Sequence, residues 1–208
     1  MYDWGMQMRH FKNYCLLLMF ALLLVGCTEE TKEESKSSSA LTIKHYKVSE
    51  NEEALVKKTG VGLIEFFKLN GSLNEDKEEL QYSVELYENG KFKEEILKAV
   101  SAPSTDDQGS ILSFGVKDDA PTIEIIAGLP SGVSTAPFEN KMTGHTFTTL
   151  VGNKITLEKD QPIYLAAWLG TKTNKMRSIG EEKGKLPAAI KEYEVALIYK
   201  VLWTDKEQ

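Results

Sequence analysis

The segment Tyr193-Glu-Val-Ala-Leu-Ile-Tyr-Lys-Val-Leu-Trp203 limits the fold more than any other. Tyr193, Val195, Leu197, Tyr199, Val201 and Trp203 recur every second residue, and Ala196, Ile198 and Leu202 make the opposite face apolar as well. A period of two is the repeat of a β-strand, and apolar residues on both faces predict a strand in the middle of a sheet. The stretch 80–87 shows the cleaner half-buried pattern, with Leu80, Tyr82, Val84 and Leu86 on one side and Gln81, Ser83 and Glu85 on the other. That alternation predicts an antiparallel strand with one face on the core.

Further strands are expected at 41–48, 61–73, 110–116, 122–128, 145–151, 153–159 and 162–170, the last apolar on both faces and therefore central. Pro162 fits only the first position of that strand, because proline donates no ladder hydrogen bond. Helical patterns are short, at 49–58 and 186–193. About nine short strands separated by turn residues predict an all-β antiparallel sandwich, immunoglobulin-like in class, with one or two short helices.

Asn89-Gly90 predicts a two-residue type I′ hairpin, since both central positions need positive φ. The return strand from Lys91 fits less well. Strict pairing sets Lys93 opposite Leu86 and Glu95 opposite Val84, on the apolar face. Either a bulge shifts the register or the strand is a solvated edge, and the edge is the reading preferred here.

The N-terminus follows other rules. Arg9, His10 and Lys12 precede a twelve-residue apolar run, Tyr14 to Val25. A membrane-spanning helix needs about 20 residues, so this is the length of a signal-peptide core. Met8 would give a cleaner start than Met1. The run ends in Leu24-Val25-Gly26-Cys27, which resembles the lipobox of bacterial lipoproteins. The resemblance implies a signal peptide over 1–26, a diacylglyceryl group on the Cys27 sulfur, palmitate-type acyl chains as membrane anchor, and Cys27 as first mature residue. Residues 28–40, charged and Ser-rich, cannot bury apolar surface, so 27–40 is expected to be a lipidated cysteine with a disordered linker. Thirteen residues reach about 45 Å at most and about 20 Å on average. The sandwich, over 41–208, is then tethered at the extracytoplasmic face of the cell membrane. The segment 66–92 also resembles a strand–turn–strand–hairpin pattern of uncharacterised Gram-positive lipoproteins. The 23 lysines against 2 arginines suit an AT-rich, Gram-positive coding source.

Beyond Gly26 the chain carries 23 basic and 30 acidic side chains. That excess of acid disfavours nucleic acid, which needs a concentrated basic face. Cys15 leaves with the signal and Cys27 is lipidated, so no disulfide is expected and the core must hold the fold.

Catalytic motifs are scarce: there is no HExxH, paired cysteines, GxSxG or phosphate loop. His145 with Ser131 or Ser134 is the one serine-type arrangement, against a plain strand-edge histidine; His45 reads as a surface residue. Asp106-Asp107 and Asp118-Asp119 could contribute oxygens to calcium, but they also suit solvated turns. Tyr164, Trp168 and Trp203 form either a binding platform or packing. Two long segments, 127–145 and 170–187, exceed ordinary loop length and read either as two mobile loops or as the place of a binding surface. No cofactor, metal or catalytic residue is assigned. The expected role is a non-enzymatic binding or scaffolding module of the cell envelope, held to lipid through Cys27 and meeting an envelope protein or wall polymer. The alternatives are an envelope hydrolase with a non-motif active site and a ligand-capture or sensor lipoprotein of a membrane complex.

Overall fold

The computed structural model describes residues 40–103, 109–119, 121–173, 179–180 and 182–206. The lipobox residues Leu24, Val25 and Gly26, Cys27, the linker to residue 39 and the pair Asp106-Asp107 lie outside the described residues.

Among the described residues, eleven strands form two antiparallel sheets packed as an open sandwich. In chain order they are β1 (Thr42–His45), β2 (Leu63–Asn70), β3 (Glu78–Glu88), β4 (Lys91–Val100), β5 (Ser110–Asp119), β6 (Thr122–Leu129), β7 (Gly132–Glu139), β8 (Gly144–Thr149), β9 (Ile155–Thr156), β10 (Ile163–Thr171) and β11 (Val195–Asp205). One sheet runs β7-β6-β5-β2-β1-β9 and the other β4-β3-β11-β10-β8. The all-β sandwich read from the alternation is the fold observed. Helix α1 (Glu50–Lys57) closes the link from β1 to β2. Its start is set by Ser49, whose hydroxyl accepts from the Glu52 amide while Glu52 reaches back to the Ser49 amide, a reciprocal cap.

The two central strands behave as their sequences dictate. β3 and β11 pair over their full length, Val195 opposite Glu88 to Asp205 opposite Glu78. Leu80, Tyr82, Val84 and Leu86 meet Val195, Leu197, Tyr199 and Val201 on the inner face, and all are buried. Phe114 of β5 lies within this core, stacked on Tyr199 at 5.7 Å and on Phe147 at 5.4 Å. The Tyr199 hydroxyl donates to the Gly128 carbonyl at 3.0 Å, tying one sheet to the other. On the outer side of the five-stranded sheet, Ala196, Ile198, Ala167 and Leu169 form a second cluster, covered by Ile179, Ile190 and Tyr193. Tyr193 therefore packs on the face opposite the one its spacing suggests. A 3-10 turn over Ala188–Glu192 ends at Tyr193, and the strand begins only at Val195, so the alternation does not extend back to it.

The hairpin turn is as expected, with Asn89 at φ 50° and Gly90 at φ 74°. Gly90 also lies against Lys191, where a Cβ would fall 2.5 Å from the lysine Cγ and 2.8 Å from its Cα, so any other residue would have to displace Lys191. The return strand β4 is an edge, and it is bulged twice as well. Lys93 and Ile96 are the unpaired residues, which sets Glu94 opposite Leu86, Glu95 opposite Glu85, and Leu97 opposite Val84. Leu97 thereby recovers the core face, where it packs with Ile96.

The segment 127–145, read as a loop, contains a whole strand. β6 turns through Pro130 and Ser131 into β7, which pairs with it from Gly132 to Glu139. Its inward residues are Ser134, Ala136 and Phe138, and with only Phe138 large and apolar the strand shows no apolar alternation.

Phe114→Ala is expected to lower unfolding free energy by about 3–5 kcal/mol, because it removes a fully buried ring between two others. Urea denaturation monitored by tryptophan fluorescence measures the change.

Candidate functional site

An open cleft of about 590 Å³ lies where the β3–β4 hairpin, the end of β7 and the start of β11 meet. The edges β4 and β7 approach each other around Leu97, Lys98 and Ser134, where they enclose a cavity of about 10 Å³, and they part toward the cleft. That small cavity is the size of one water, and the buried Tyr82 hydroxyl beside it has no protein partner.

The cleft draws on both long segments singled out above. Pro137, Phe138, Glu139, Lys141 and Met142 come from the first and Lys172 from the second. Leu86, Val195, Phe138 and Met142 supply apolar surface, and the carboxylates of Glu88, Glu94, Glu139 and Glu194 surround it. Glu139 pairs with Lys141 at 2.9 Å and Glu88 lies 3.8 Å from Lys93. Glu94 faces the cleft because the first bulge of β4 turns it to the side of Leu86. The Thr171 hydroxyl above all, then the backbone N–H groups of Glu194 and Lys172 and the Lys172 charge, hold the Glu194 carboxyl below its usual range. Its second oxygen is buried without a hydrogen-bond partner. The lining thus offers carboxylate acceptors around an apolar floor, suited to hold N–H or ammonium donors next to an apolar group.

The remainder of segment 170–187 that is described packs down as structure. Ile179 is buried, its carbonyl accepts from the Thr148 hydroxyl at 3.1 Å, and Gly184 bonds to Leu150 and Tyr164. Residues 174–178 and 181 lie outside the described residues.

Other candidate residues are dispersed. Ser134 lines the small cavity on the β4 side of the sandwich, whereas His145 is on β8, at the opposite edge of the five-stranded sheet. His145 stacks on Trp168 at 5.7 Å. Ser131 belongs to the β6–β7 turn. His45 meets Glu65 at 2.7 Å on the margin of β1 and β2. Asp118 is exposed at the end of β5, and Asp119 follows it. Among the described residues, no group of three His, Cys, Asp or Glu converges as metal ligands. Trp168 is buried in the core and Trp203 packs against it, so these rings serve as packing; Tyr164 is half-buried on the outer face of the sheet.

One cluster was not anticipated. Lys200 points to the outer face of the five-stranded sheet and bonds Glu85, and Glu95 at 3.1 Å, while the Tyr87 hydroxyl donates to Glu85 at 2.6 Å. Glu85 is only 5% exposed. Cross-strand like charges repel, and Lys200 between Glu85 and Glu95 reverses that. Burial works against the Lys200 ammonium, but the two carboxylates overcome it and its pKa lies above the ordinary value. Burial likewise pushes Glu95 up, and the hydrogen bond and charge of Lys200, helped by Lys98, bring it below the usual range. The signal available in the sequence was a lysine on an otherwise apolar strand face.

Lys200→Met strands the buried Glu85 carboxylate and is expected to cost about 3–5 kcal/mol, with Glu85→Gln in the same chain recovering much of it. The pH dependence has a definite sign. A depressed Glu95 pKa contributes stability above its unfolded value of about 4.3, and loses it as pH falls through the folded value. A raised Lys200 pKa contributes below its unfolded value and fails only as pH rises through the folded one. The denaturation midpoint should therefore fall on acidification below about pH 4, and fall less steeply in Glu95→Gln.

Comparison with characterised proteins and with solved structures returns no match. A family model described as the YgaN domain matches residues 42–202, from the first strand to the last, and the chain belongs to that family.

Proposed function

We propose that this chain is a lipid-anchored envelope protein whose sandwich is a non-enzymatic binding module, with the cleft between β4 and β7 as its contact surface. The observation that carries the reading is the cleft lining, where the carboxylates of Glu94 and Glu194 border the apolar side chains of Phe138 and Met142. Two segments that the sequence leaves long both contribute to it: β7 supplies Pro137, Phe138 and Glu139, and Lys141, Met142 and Lys172 come from the connections beyond the strands, where binding residues on a rigid scaffold concentrate. The favoured partner is an envelope protein or wall polymer that presents a cationic or donor-rich group next to an apolar one.

The anchor rests on the Leu24-Val25-Gly26-Cys27 sequence behind its apolar run. Two acyl chains hold a protein stably at a bilayer, whereas one holds it marginally. The tether then keeps the cleft within a few tens of ångströms of the membrane, where an envelope partner is encountered.

Two measurements test the two halves separately. Cells fed radioactive palmitate are expected to label the wild type but not Cys27→Ala, and the variant should leave the membrane fraction. An unlabelled wild type overturns the anchor. For the cleft, a photoreactive residue in place of Phe138 is expected to yield a discrete adduct in cells that the same residue at Leu55, exposed on α1, does not. Identical adduct patterns from both positions overturn the cleft as contact surface.

A further inference from the structure

The open side of β7 is a strand edge without the usual protection. The pair Leu129–Gly132 closes a two-residue hairpin, and such a closing pair exchanges its hydrogen bonds. Bonded and non-bonded pairs then alternate along the ladder. Gly132, Ser134, Ala136 and Phe138 direct their backbone groups to β6, and Val133 and Thr135 direct theirs away from it. Pro137 confirms this parity: it stands opposite Glu124 in a non-bonded pair, the position where a residue without N–H is tolerated. Among the described residues, no hydrogen bond reaches the backbone of Val133 or Thr135. Both are exposed, and Val133 is a large apolar residue 68% exposed.

The other edges are guarded. β4 carries Lys91, Lys93, Glu94, Glu95 and Lys98 and is bulged twice. β9 has two residues. β8 is short, and its Thr148 hydroxyl is engaged by the segment at Ile179. Charge, bulges and brevity are the devices that keep edges from pairing. β7 has no charged residue from Gly132 to Phe138, and its single guard, Pro137, protects only one end.

We propose that β7 is a self-association edge, to which a second copy of this chain adds its own β7 antiparallel about a two-fold axis at Ser134. In that register Val133 exchanges both main-chain bonds with Thr135 of the second copy, and Thr135 with its Val133, which makes four hydrogen bonds. Pro137 falls opposite Ser131 of the second copy, where the strand has already turned, so its missing donor interrupts nothing. The pairable stretch is therefore symmetric about its own centre, the property a two-fold contact needs. Val133 and Thr135 become cross-strand β-branched neighbours on the outer face, a favourable pair. The chain is acidic overall, and the absence of charge on this strand lets two copies meet there without repulsion. The contact does not involve the lipid anchor, and it adjoins the cleft, whose lining includes Pro137 and Phe138 at the far end of the same strand.

The test uses the full chain, purified in mild detergent, by sedimentation velocity over a concentration series. The wild type is expected to shift from monomer to dimer as concentration rises. Val133→Lys and Thr135→Lys are each expected to raise the dissociation constant by about tenfold or more, equal to about 1.4 kcal/mol, with an unchanged thermal midpoint. Residue-resolved hydrogen exchange gives a second readout that does not depend on variants. The Val133 and Thr135 amides should gain protection with concentration, while those of Ser134 and Ala136 are protected throughout. A wild type that stays monomeric across the series overturns the proposal, as does a dimer indifferent to both lysines. Protection of Val133 and Thr135 only in the presence of envelope extract would assign the edge to a foreign strand and also overturn it.

Discussion

The pairing of β3 with β11 is the constraint from which the rest of the molecule follows. Both strands run eleven residues in unbroken register, and between them they supply the inner core and much of the outer cluster. Because the side-chain period of a strand is two, a slip of one residue would send Tyr82, Val84, Leu197 and Tyr199 to the wrong side together. The register is thus fixed by the sum of all these burials. Sheet order, the seat of Phe114 and the reach of the Tyr199 hydroxyl to Gly128 depend on it. With no cysteine among residues 28–208, this apolar agreement holds the two sheets together without a disulfide.

What could be read from the sequence and what could not divide along one physical line. Strands whose inner residues are large and whose outer residues are polar announce themselves, as β3 does. So do turns that need positive φ, as Asn89-Gly90 does. β7 is silent because two of its three inward residues, Ser134 and Ala136, are small: backbone pairing to β6 holds it along its length, and only Phe138 at its end packs on the core. The two bulges of β4 left a visible trace, charged residues falling where apolar ones belonged, but their positions were not legible, since they depend on the strand alongside. The Lys200 cluster was hidden for a related reason. Its three charged members come from three different strands, so no spacing in the chain brings them together. The cleft was legible in part, as two segments longer than ordinary connections; the hairpin residues facing it, Glu88 and Glu94, gave no sign.

The polar cluster and the cleft share a cause. The first bulge of β4 turns Glu95 outward to Lys200 and Glu94 inward to the cleft. A single extra residue, Lys93, therefore determines both a buried ionic contact and the charge of the candidate binding surface. Bulges at sheet edges commonly re-aim side chains in this manner. Here the re-aiming relieves what would otherwise be a core defect, since strict pairing would have buried Lys93 and Glu95.

The paired bulges also bear on how this edge can change over time. One extra residue exchanges the two sides of everything beyond it, and a second restores them, which is why Leu97 regains the interior. Insertions or deletions along this edge are thus tolerable in even steps and disruptive in odd ones. Descendants of the same ancestor should differ in hairpin length by twos, with the interior leucine kept in phase and the intervening charges free to drift.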